Sequence, residues 1–363
     1  MATIGPVDKD IIASVLAAGV SKTPEKTEAE VNVTPTVKFT CDKNQKFFSE
    51  LFWKPKKIPD IPVTVYNKTD WHPNAQIMIP SVNPNWIWPN ETTELFALAM
   101  YCDDTTLLYG LQGTGKSDLA LQWGAKLNIP VWRQSCHKQS RSEDFLGSVS
   151  VSYNKDEEGN QRMTIEQEPS LLTDSLKYGG IYVEDEAFRH DCALVLQSLR
   201  EKNTRRLVLP DAPGRSAEDR VLKADRKNWR YVLTDNTQGT GDTSGMYDAQ
   251  VQDASTLDRI SACIEVKYLP TKGEHKLLRT AYPSVSDDQA TRMIKFANLI
   301  RDMFSRQELN STLSVRGLLS WAEKITILGS TGNGLKITWA NKLTKDDLTK
   351  AADAYHQSFG EHL

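Results

Sequence analysis

The spacing of apolar residues divides the chain into an α/β part followed by an all-α part. Short apolar runs with turn residues on both sides predict five buried strands, at residues 105–109, 130–134, 180–186, 229–234 and 264–268. Apolar residues three and four positions apart predict helices between these strands. Strands that alternate with helices form parallel sheets covered on both faces, so the pattern predicts an α/β fold with such a sheet.

Two stretches of the α/β part change from helical spacing to strict alternation of apolar and polar residues. Residues 149–153 and 163–165 alternate on either side of a charged turn at 154–160. Residues 206–209 and 220–223 flank a loop that is rich in Pro and Gly. Each stretch is therefore predicted to form a β-hairpin inserted into the α/β domain.

The same patterns divide the chain into four segments. Residues 1–36 are predicted to form a short amphipathic helix and a linker, and residues 37–78 a small region in which residues 47–53 form one buried helix. The α/β domain spans residues 79–285, and a small all-α domain spans residues 286–363. The helices of the all-α domain are predicted at residues 287–305, 314–327 and 345–359.

A glycine-rich loop that joins the first predicted strand to a helix is the strongest chemical signal in the chain. It reads Gly-Leu-Gln-Gly-Thr-Gly-Lys-Ser from Gly110 to Ser117, the spacing of a phosphate-binding loop. The glycines bring backbone N–H groups close to phosphate oxygens, Lys116 would reach the β- and γ-phosphates, and the Ser117 hydroxyl would hold Mg²⁺. The predicted ATP-binding residues are Gly110, Gly113, Thr114, Gly115, Lys116, Ser117 and Asp118.

Two later strands end in polar side chains that suit catalysis at the same edge of the sheet. One strand ends in Asp185 and Glu186, and Asn236 follows the next core strand. Because ligands bind at the carboxyl ends of parallel strands, these side chains are expected beside the phosphates. Asp185 then suits Mg²⁺ ligation, Glu186 suits activation of the attacking water, and Asn236 suits a hydrogen bond to the γ-phosphate or to that water.

Composition narrows the class of protein and its compartment. A formal charge of −3 over 363 residues gives no general attraction to nucleic acid or to anionic membranes. No apolar run reaches the length of about 18 residues that a membrane span needs. The five cysteines are scattered and form no Cys-x-x-Cys pair, so neither a zinc site nor a disulfide framework is predicted. A location in the reducing cytoplasm is the expectation.

Taken together, the motifs resemble those of the MoxR branch of the AAA+ ATPases. The segments that resemble its Walker A, Walker B, sensor 1, arginine-finger and sensor 2 elements are Gly110 to Ser117, residues 183–186, Asn236, Asp258-Arg259 and residues 314–316. Within the branch, residues 79–88 and 234–247 are similar to the CobS-like group, the ATPase subunits of aerobic cobaltochelatase. The chain departs from the family pattern at Glu184, Asp235 and Ile260.

The resemblance implies a P-loop AAA+ module followed by a helical lid, with ATP and Mg²⁺ as cofactors. It implies a homo-oligomeric ring of six subunits, in which Arg259 reaches the ATP of the next subunit and Arg316 contacts the γ-phosphate from the lid. It further implies action on a partner protein with a von Willebrand A domain, as in chelatase-type metal insertion. Trp88 or Ile87 is a candidate to line the adenine site, and burial in the core is the alternative for both.

Two other functions fit the residues. The first is the motor of a nucleic-acid-processing or defence complex, because basic residues that could contact phosphates cluster around the second hairpin: Arg205, Arg206, Arg215, Arg220, Lys223, Arg226, Lys227 and Arg230. Acids interspersed among them favour an ordinary solvated hairpin. The second is a nucleotide-gated scaffold that hardly hydrolyses ATP, and the complete set of catalytic residues argues against it.

Overall fold

A computed structural model of the protein describes residues 39–155, 161–190, 193–212, 216, 218–241 and 249–363. Contacts divide the chain into two units, Met1–Lys38 and Phe39–Leu363. The amphipathic helix and linker predicted for residues 1–36 lie outside the described residues, as does the second half of the loop that follows Asn236.

The first described elements are a small antiparallel pair, β1 (Gln45–Phe47) with β2 (Pro62–Thr64), and two single-turn helices. The first helix, α1 (Phe48–Leu51), lies between the two strands, and the second, α2 (Pro73–Gln76), follows them. The helix predicted for residues 47–53 is therefore limited to the single turn of α1. The aromatic residues that follow α1 leave the helix because they pack against later elements. Phe52 stacks on Trp123 with 5.3 Å between ring centroids, and Trp53 Nε1 donates a 2.8 Å hydrogen bond to Glu94.

The α/β domain follows the predicted alternation of strands and helices, with shifted ends. In chain order it contains α3 (Asn90–Tyr101), β3 (Thr106–Tyr109), α4 (Lys116–Leu127), β4 (Val131–Ser135), α5 (Ser142–Leu146), β5 (Ser148–Lys155), β6 (Gln161–Glu168), α6 (Leu171–Tyr178), β7 (Gly180–Asp185), α7 (Ala193–Arg200), β8 (Arg206–Val208), β9 (Val221–Lys223), β10 (Trp229–Asp235), α8 (Ala254–Asp258) and β11 (Ala262–Glu265).

Five of these strands form one parallel sheet in the order β11-β3-β10-β7-β4, which confirms the predicted α/β class. Both faces of the sheet are buried. Leu107 and Tyr231 belong to the core on one face, and Leu108 and Val232 to the core on the other. Because all five strands run the same way, the loops after β3, β7, β10 and β4 meet at one edge.

Both predicted hairpins are present, β5 with β6 and β8 with β9. Paired residues of an antiparallel ladder share a face. Val151 pairs with Ile165 and Tyr153 pairs with Met163, so these four side chains lie on one face of the first hairpin. All four are exposed, Tyr153 to 68%. The first hairpin thus presents an apolar face to solvent, which we call the hairpin face.

The C-terminal helices are α9 (Thr271–Ala281), α10 (Asp287–Ser305), α11 (Val315–Leu328), α12 (Thr331–Thr338) and α13 (Lys345–Phe359). The predicted helices correspond to α10, α11 and α13, whereas α9 and α12 were not predicted. The helices enclose a core of their own around Phe296, Trp321 and Tyr355. A buried ion pair of 2.8 Å between Glu274 and Arg301 joins α9 to α10. None of the helices in the described ranges combines the length and apolar character that crossing a bilayer requires.

Candidate nucleotide site

A cavity of about 480 Å³ lies at the carboxyl edge of the sheet. The loop between β3 and α4 forms its floor, and the start of α11 forms part of its wall. The predicted site residues that line it are Gly113, Thr114, Gly115, Lys116, Ser117, Asp118, Asp185, Glu186, Asn236 and Arg316. The fold therefore brings residues from three strand ends and from the helical domain to one place.

Two glycines of the loop allow close backbone contacts that no side chain could enter. A Cβ on Gly110, whose φ is +145°, would lie 2.4 Å from the carbonyl oxygen of Val266. A Cβ on Gly113, whose φ is +73°, would lie 2.4 Å from Cβ of Ser314. Ser314 caps α11 by accepting a hydrogen bond from Gly317 N. The glycine-rich loop is thus packed directly against the first turn of the helical domain.

The Lys116 ammonium group is folded over the loop and reaches the end of β10. Its Nζ donates to the carbonyls of Gly110 at 2.9 Å and Leu111 at 3.0 Å, and to Asn236 Oδ1 at 2.9 Å. Burial of this group lowers the pKa of Lys116 from 10.5 to about 8. Lys116 and Asn236 are therefore already in contact at the place where a γ-phosphate would be bound.

ATP affinity is expected to fall as the pH rises through 8. A bound phosphate favours the charged ammonium, and the free chain begins to lose that charge near its pKa of about 8. The dissociation constant for ATP should be constant from pH 7 to 7.5 and about tenfold higher at pH 9. Calorimetric titration with ATP across this range measures the effect. A Lys116→Met variant should bind ATP weakly, and its dissociation constant should not change with pH in this way. If the dissociation constants of both proteins rose equally with pH, Lys116 would not be the cause.

Oxygen atoms suited to Mg²⁺ converge on Asp185 at the end of β7. Ser117 Oγ donates a hydrogen bond of 2.5 Å to Asp185 Oδ1, and the Thr234 hydroxyl donates to the same oxygen. Thr234 lies opposite Asp185 in the pairing of β10 with β7. Burial tends to raise the pKa of Asp185, but these hydrogen bonds and Arg133 hold it below its usual value. A hydroxyl beside an ionised carboxylate is a donor set that fits Mg²⁺.

The second acid, Glu186, has an unusual backbone conformation and a charged neighbour. Its φ of 59° places it in the left-handed region, which carries a steric cost for any residue with a Cβ. The Glu186 carboxylate forms an ion pair of 2.9 Å with Arg189, and both residues line the cavity. The bend after β7 thus directs this carboxylate into the cavity beside Asp185.

Comparison with known families agrees with this geometry. Residues 105–260 match the AAA domain of the dynein-related subfamily, and residues 274–354 match the C-terminal domain of CbbQ, NirQ and NorQ. These matches support a MoxR-type AAA+ ATPase. It is 27% identical over 311 residues to the aerobic cobaltochelatase subunit CobS of Sinorhizobium sp., which covers 84% of this chain and 88% of CobS.

Solved structures of AAA+ proteins are also similar. A RuvB mutant of Thermotoga maritima is 13% identical, with a TM-score of 0.44 over 75% of each chain. The closed state of Hsp104 with ATPγS and casein is 18% identical, with a TM-score of 0.40 over 65% of this chain and 42% of that one.

Hydrogen bonds to the backbone account for Asp235, one of the departures from the family pattern, at the end of β10. Its Oδ2 accepts a 3.1 Å hydrogen bond from Phe188 N, and its Oδ1 accepts a 2.8 Å bond from Thr237 N. The carboxylate therefore joins the segment after β7 to the segment after β10. Asp235 is a structural link between Glu186 and Asn236, a role that the sequence alone did not reveal.

Glu184, the other acid of the Walker B strand, faces away from the cavity into a buried network. Its Oε1 lies 2.7 Å from both Arg200 Nη2 and His190 Nε2, and its Oε2 accepts a 2.5 Å bond from Tyr231. Burial alone would raise the pKa of Glu184, but Arg200, His190 and Tyr231 hold it at about 2. The network ties α7 and the loop after Glu186 to the sheet.

Breaking this network should destabilise the domain strongly. In Glu184→Gln, Arg200 keeps its buried charge without a charged partner, which typically costs about 3–5 kcal/mol. The free energy of unfolding in urea measures the loss. Glu201→Gln, which neutralises an exposed acid next to Arg200, should change it by less than about 0.5 kcal/mol. Equal stability of both variants would contradict the account of this network.

Of the two residues predicted beside the adenine, Ile87 lines the cavity and Trp88 does not, and the aromatic residue that lines it is Trp86. Trp88 packs against Phe52, with 5.1 Å between ring centroids, whereas Trp86 and Ile87 line the cavity. The Trp86 indole Nε1 is buried and has no hydrogen-bond partner among the described residues. An unpaired donor of this kind is costly unless a ligand or water satisfies it, which fits a nucleotide beside Trp86.

The predicted arginine finger lies apart from the other site residues. Arg259 is the C-terminal cap residue of α8, and its guanidinium donates to the carbonyl of Ser255 in the same helix. It is half-buried and is not among the described residues that line the cavity of its own chain. Arg259 and Arg316 thus differ in position, because Arg316 is exposed and lines the cavity of its own chain, whereas Arg259 does not line it.

Proposed function

We propose that the chain is an ATP-hydrolysing ring motor that remodels or activates a partner protein. The observation that carries this proposal is the convergence of Lys116, Asp185 and Asn236 at one cavity that Arg316 of the helical domain also lines. Cleavage of a γ-phosphate needs positioning and charge neutralisation more than covalent chemistry from the protein. The cavity supplies groups for both tasks.

Each site residue has a distinct task in this proposal. Lys116 holds the β- and γ-phosphates, and Asn236 fixes the γ-phosphate or the attacking water. Glu186 orients that water and takes up its proton. Ser117 and Asp185 hold Mg²⁺, which when bound neutralises charge on the phosphate oxygens.

We assign the active site to the interface between subunits of a ring. Arg259 is separate from its own cavity, so in this proposal its guanidinium reaches the ATP of the next subunit. A head-to-tail contact of this kind closes into a ring when the rotation permits, and the family resemblance suggests six subunits. Because both the sheet domain and α11 contact the nucleotide cavity, hydrolysis can alter the angle between the two domains and supply the power stroke.

Mass and turnover measured together test this proposal. With Mg²⁺ and ATP, light scattering should give about 245 kDa, six times the 40.8 kDa of one chain, and phosphate should be released continuously. Glu186→Gln should form the same ring without phosphate release. Equal phosphate release by both proteins would contradict the proposed chemistry, and a monomer under all conditions would contradict the ring.

We further propose that the hairpin face contacts the partner, a protein with a von Willebrand A domain. Contiguous exposed apolar surface commonly marks a protein-interaction site. The similar protein CobS is named as a subunit of a cobaltochelatase, and a chelatase-type role is the form of activity that this likeness favours. Four cysteines of the described residues form no disulfide, and we propose a cytoplasmic location.

A binding assay with the von Willebrand A-domain protein encoded nearest to this chain tests the hairpin face. Val151→Ser should weaken binding at least about tenfold, because it places a hydroxyl in the apolar contact. Ile327→Ser removes an exposed apolar side chain of α11 instead and should leave binding unchanged. Equal binding by both variants would contradict the assignment of this surface.

The alternative of a nucleic-acid motor has less support from the basic cluster around the second hairpin. Arg205 is buried and donates to Thr105 Oγ1 at 2.6 Å and to the Asp103 carbonyl at 2.8 Å. Arg226 forms a 2.8 Å ion pair with Asp103, and Arg230 donates to the Met100 carbonyl at 2.7 Å. Three of the eight basic residues are therefore engaged with the protein itself rather than free to bind phosphates.

A further inference from the structure

Arg133, a residue that the sequence did not single out, contacts the carboxylate proposed to serve Mg²⁺. It lies in the middle of β4, next to β7 in the sheet. Its Nε donates a 2.8 Å hydrogen bond to Asp185 Oδ2, and its Nη2 donates to the same oxygen. Ser117 and Thr234 occupy the other oxygen, Oδ1. Both oxygens of this carboxylate are thus engaged by hydrogen bonds from the protein.

A divalent cation and Arg133 cannot both keep close contact with Asp185 at low cost. The Asp185 side chain is only 9% exposed, so solvent screens repulsion between two cations there weakly. Arginine stays protonated at all accessible pH values, so the guanidinium cannot relieve the repulsion by losing its proton. The Arg133 side chain is 40% exposed, which leaves it room to move away.

The cavity offers Arg133 a second partner once nucleotide is present. Arg133 lines the same cavity as Lys116 and Arg316. The planar guanidinium fork matches two oxygens of a phosphate as well as it matches a carboxylate. A triphosphate therefore provides the negative charge that Arg133 loses when it leaves Asp185.

We propose that Arg133 holds the place of the metal ion at Asp185 and transfers to a phosphate oxygen when Mg²⁺ and ATP bind. This inference rests on the proposed ATP site and adds a coupling to it. In the absence of ATP, a metal ion at Asp185 must displace Arg133, and the guanidinium then has no new anionic partner. In the presence of ATP, the displaced guanidinium can bind a phosphate oxygen instead. ATP should therefore raise metal affinity, and by linkage the metal should raise ATP affinity by the same factor.

Electron paramagnetic resonance of Mn²⁺ bound to the full chain measures this coupling without relying on turnover. All proteins carry Glu186→Gln so that ATP is not consumed. In the absence of nucleotide, Arg133→Met should bind Mn²⁺ about 5- to 150-fold more tightly than the parent, because Asp185 is no longer occupied. In the presence of ATP the difference should shrink, since the arginine has already left Asp185.

Two further variants separate a local effect from a general one. Arg141→Met removes an exposed arginine from the segment between β4 and α5, outside the cavity, and should bind Mn²⁺ like the parent. Arg133→Lys keeps the charge and should retain weak Mn²⁺ binding, and it tests the inference even if Arg133→Met does not fold. Mn²⁺ affinity that is unchanged or lower in Arg133→Met, or raised equally in Arg141→Met, overturns the inference.

The same proteins distinguish a failure of this inference from a failure of the proposed function. ATP binding, measured by calorimetry and weakened by Lys116→Met, tests the nucleotide site alone. If ATP binds and Mn²⁺ affinity does not respond to Arg133→Met, only the role of Arg133 is wrong. If ATP does not bind the parent at all, the proposed ATP site itself is wrong.

Discussion

Arg259→Ala is expected to lower ATP turnover by about 10³- to 10⁵-fold and to leave ATP binding intact. An arginine finger stabilises the charge that develops on the transferred phosphoryl group, and its removal typically costs this factor in rate. Arg259 does not line the cavity of its own chain, so the nucleotide-binding contacts of Lys116 and Asn236 are preserved. Steady-state phosphate release and ATP calorimetry on the same preparation measure the two quantities.

Two controls make this result specific to Arg259. Arg259→Lys keeps the positive charge but lacks the planar fork, and we expect it to recover only a small part of the lost rate. Arg306→Ala removes an exposed arginine that pairs with Asp302 within α10 and should keep full turnover. Normal turnover of Arg259→Ala would contradict its assignment as the finger.

Glu186→Gln is expected to lower ATP turnover by about 10²- to 10⁴-fold, because a general base usually contributes this factor to the rate. The amide keeps the size of the side chain but cannot accept a proton from water. Because Glu186 also pairs with Arg189 in the structure, the variant leaves that arginine uncompensated beside the phosphates. ATP affinity is therefore expected to stay equal or to rise.

Glu323→Gln is the matched control, since it neutralises an acid of α11 that pairs with Lys324 outside the cavity. It should change neither turnover nor affinity. If Glu186→Gln hydrolysed ATP at the parental rate, another group would have to activate the water.

Much of this architecture could be predicted from the sequence because local physics specifies it. The Gly-rich loop needs a strand before it and a helix after it, and apolar runs at β3, β7 and β10 specify a buried parallel sheet. Parallel strands then bring Lys116, Asp185 and Asn236 to one edge without any knowledge of long-range packing. The alternation in β5 and β6 likewise predicted the first hairpin.

The parts that could not be predicted depend on contacts between distant segments. Arg133 reads as an ordinary strand residue, and only the adjacency of β4 and β7 brings it to Asp185. Glu184 and Arg200 become partners because α7 packs back on the sheet. The helix predicted at residues 47–53 is shorter than expected for a similar reason, since Phe52 and Trp53 pack on α4 and α3 instead of continuing α1.

A mixing experiment tests most directly whether the active site is shared between subunits. An Arg259→Ala subunit keeps Glu186 and the rest of its own catalytic residues but has no arginine to place in the neighbouring site. A Glu186→Gln subunit has that arginine but lacks the general base. When the two inactive proteins are mixed before ring assembly, about one interface in four joins an intact set to an intact arginine. We expect ATP turnover to return to about a quarter of the parental rate. A mixture that stays as inactive as its separate components would contradict a site completed by the neighbouring subunit.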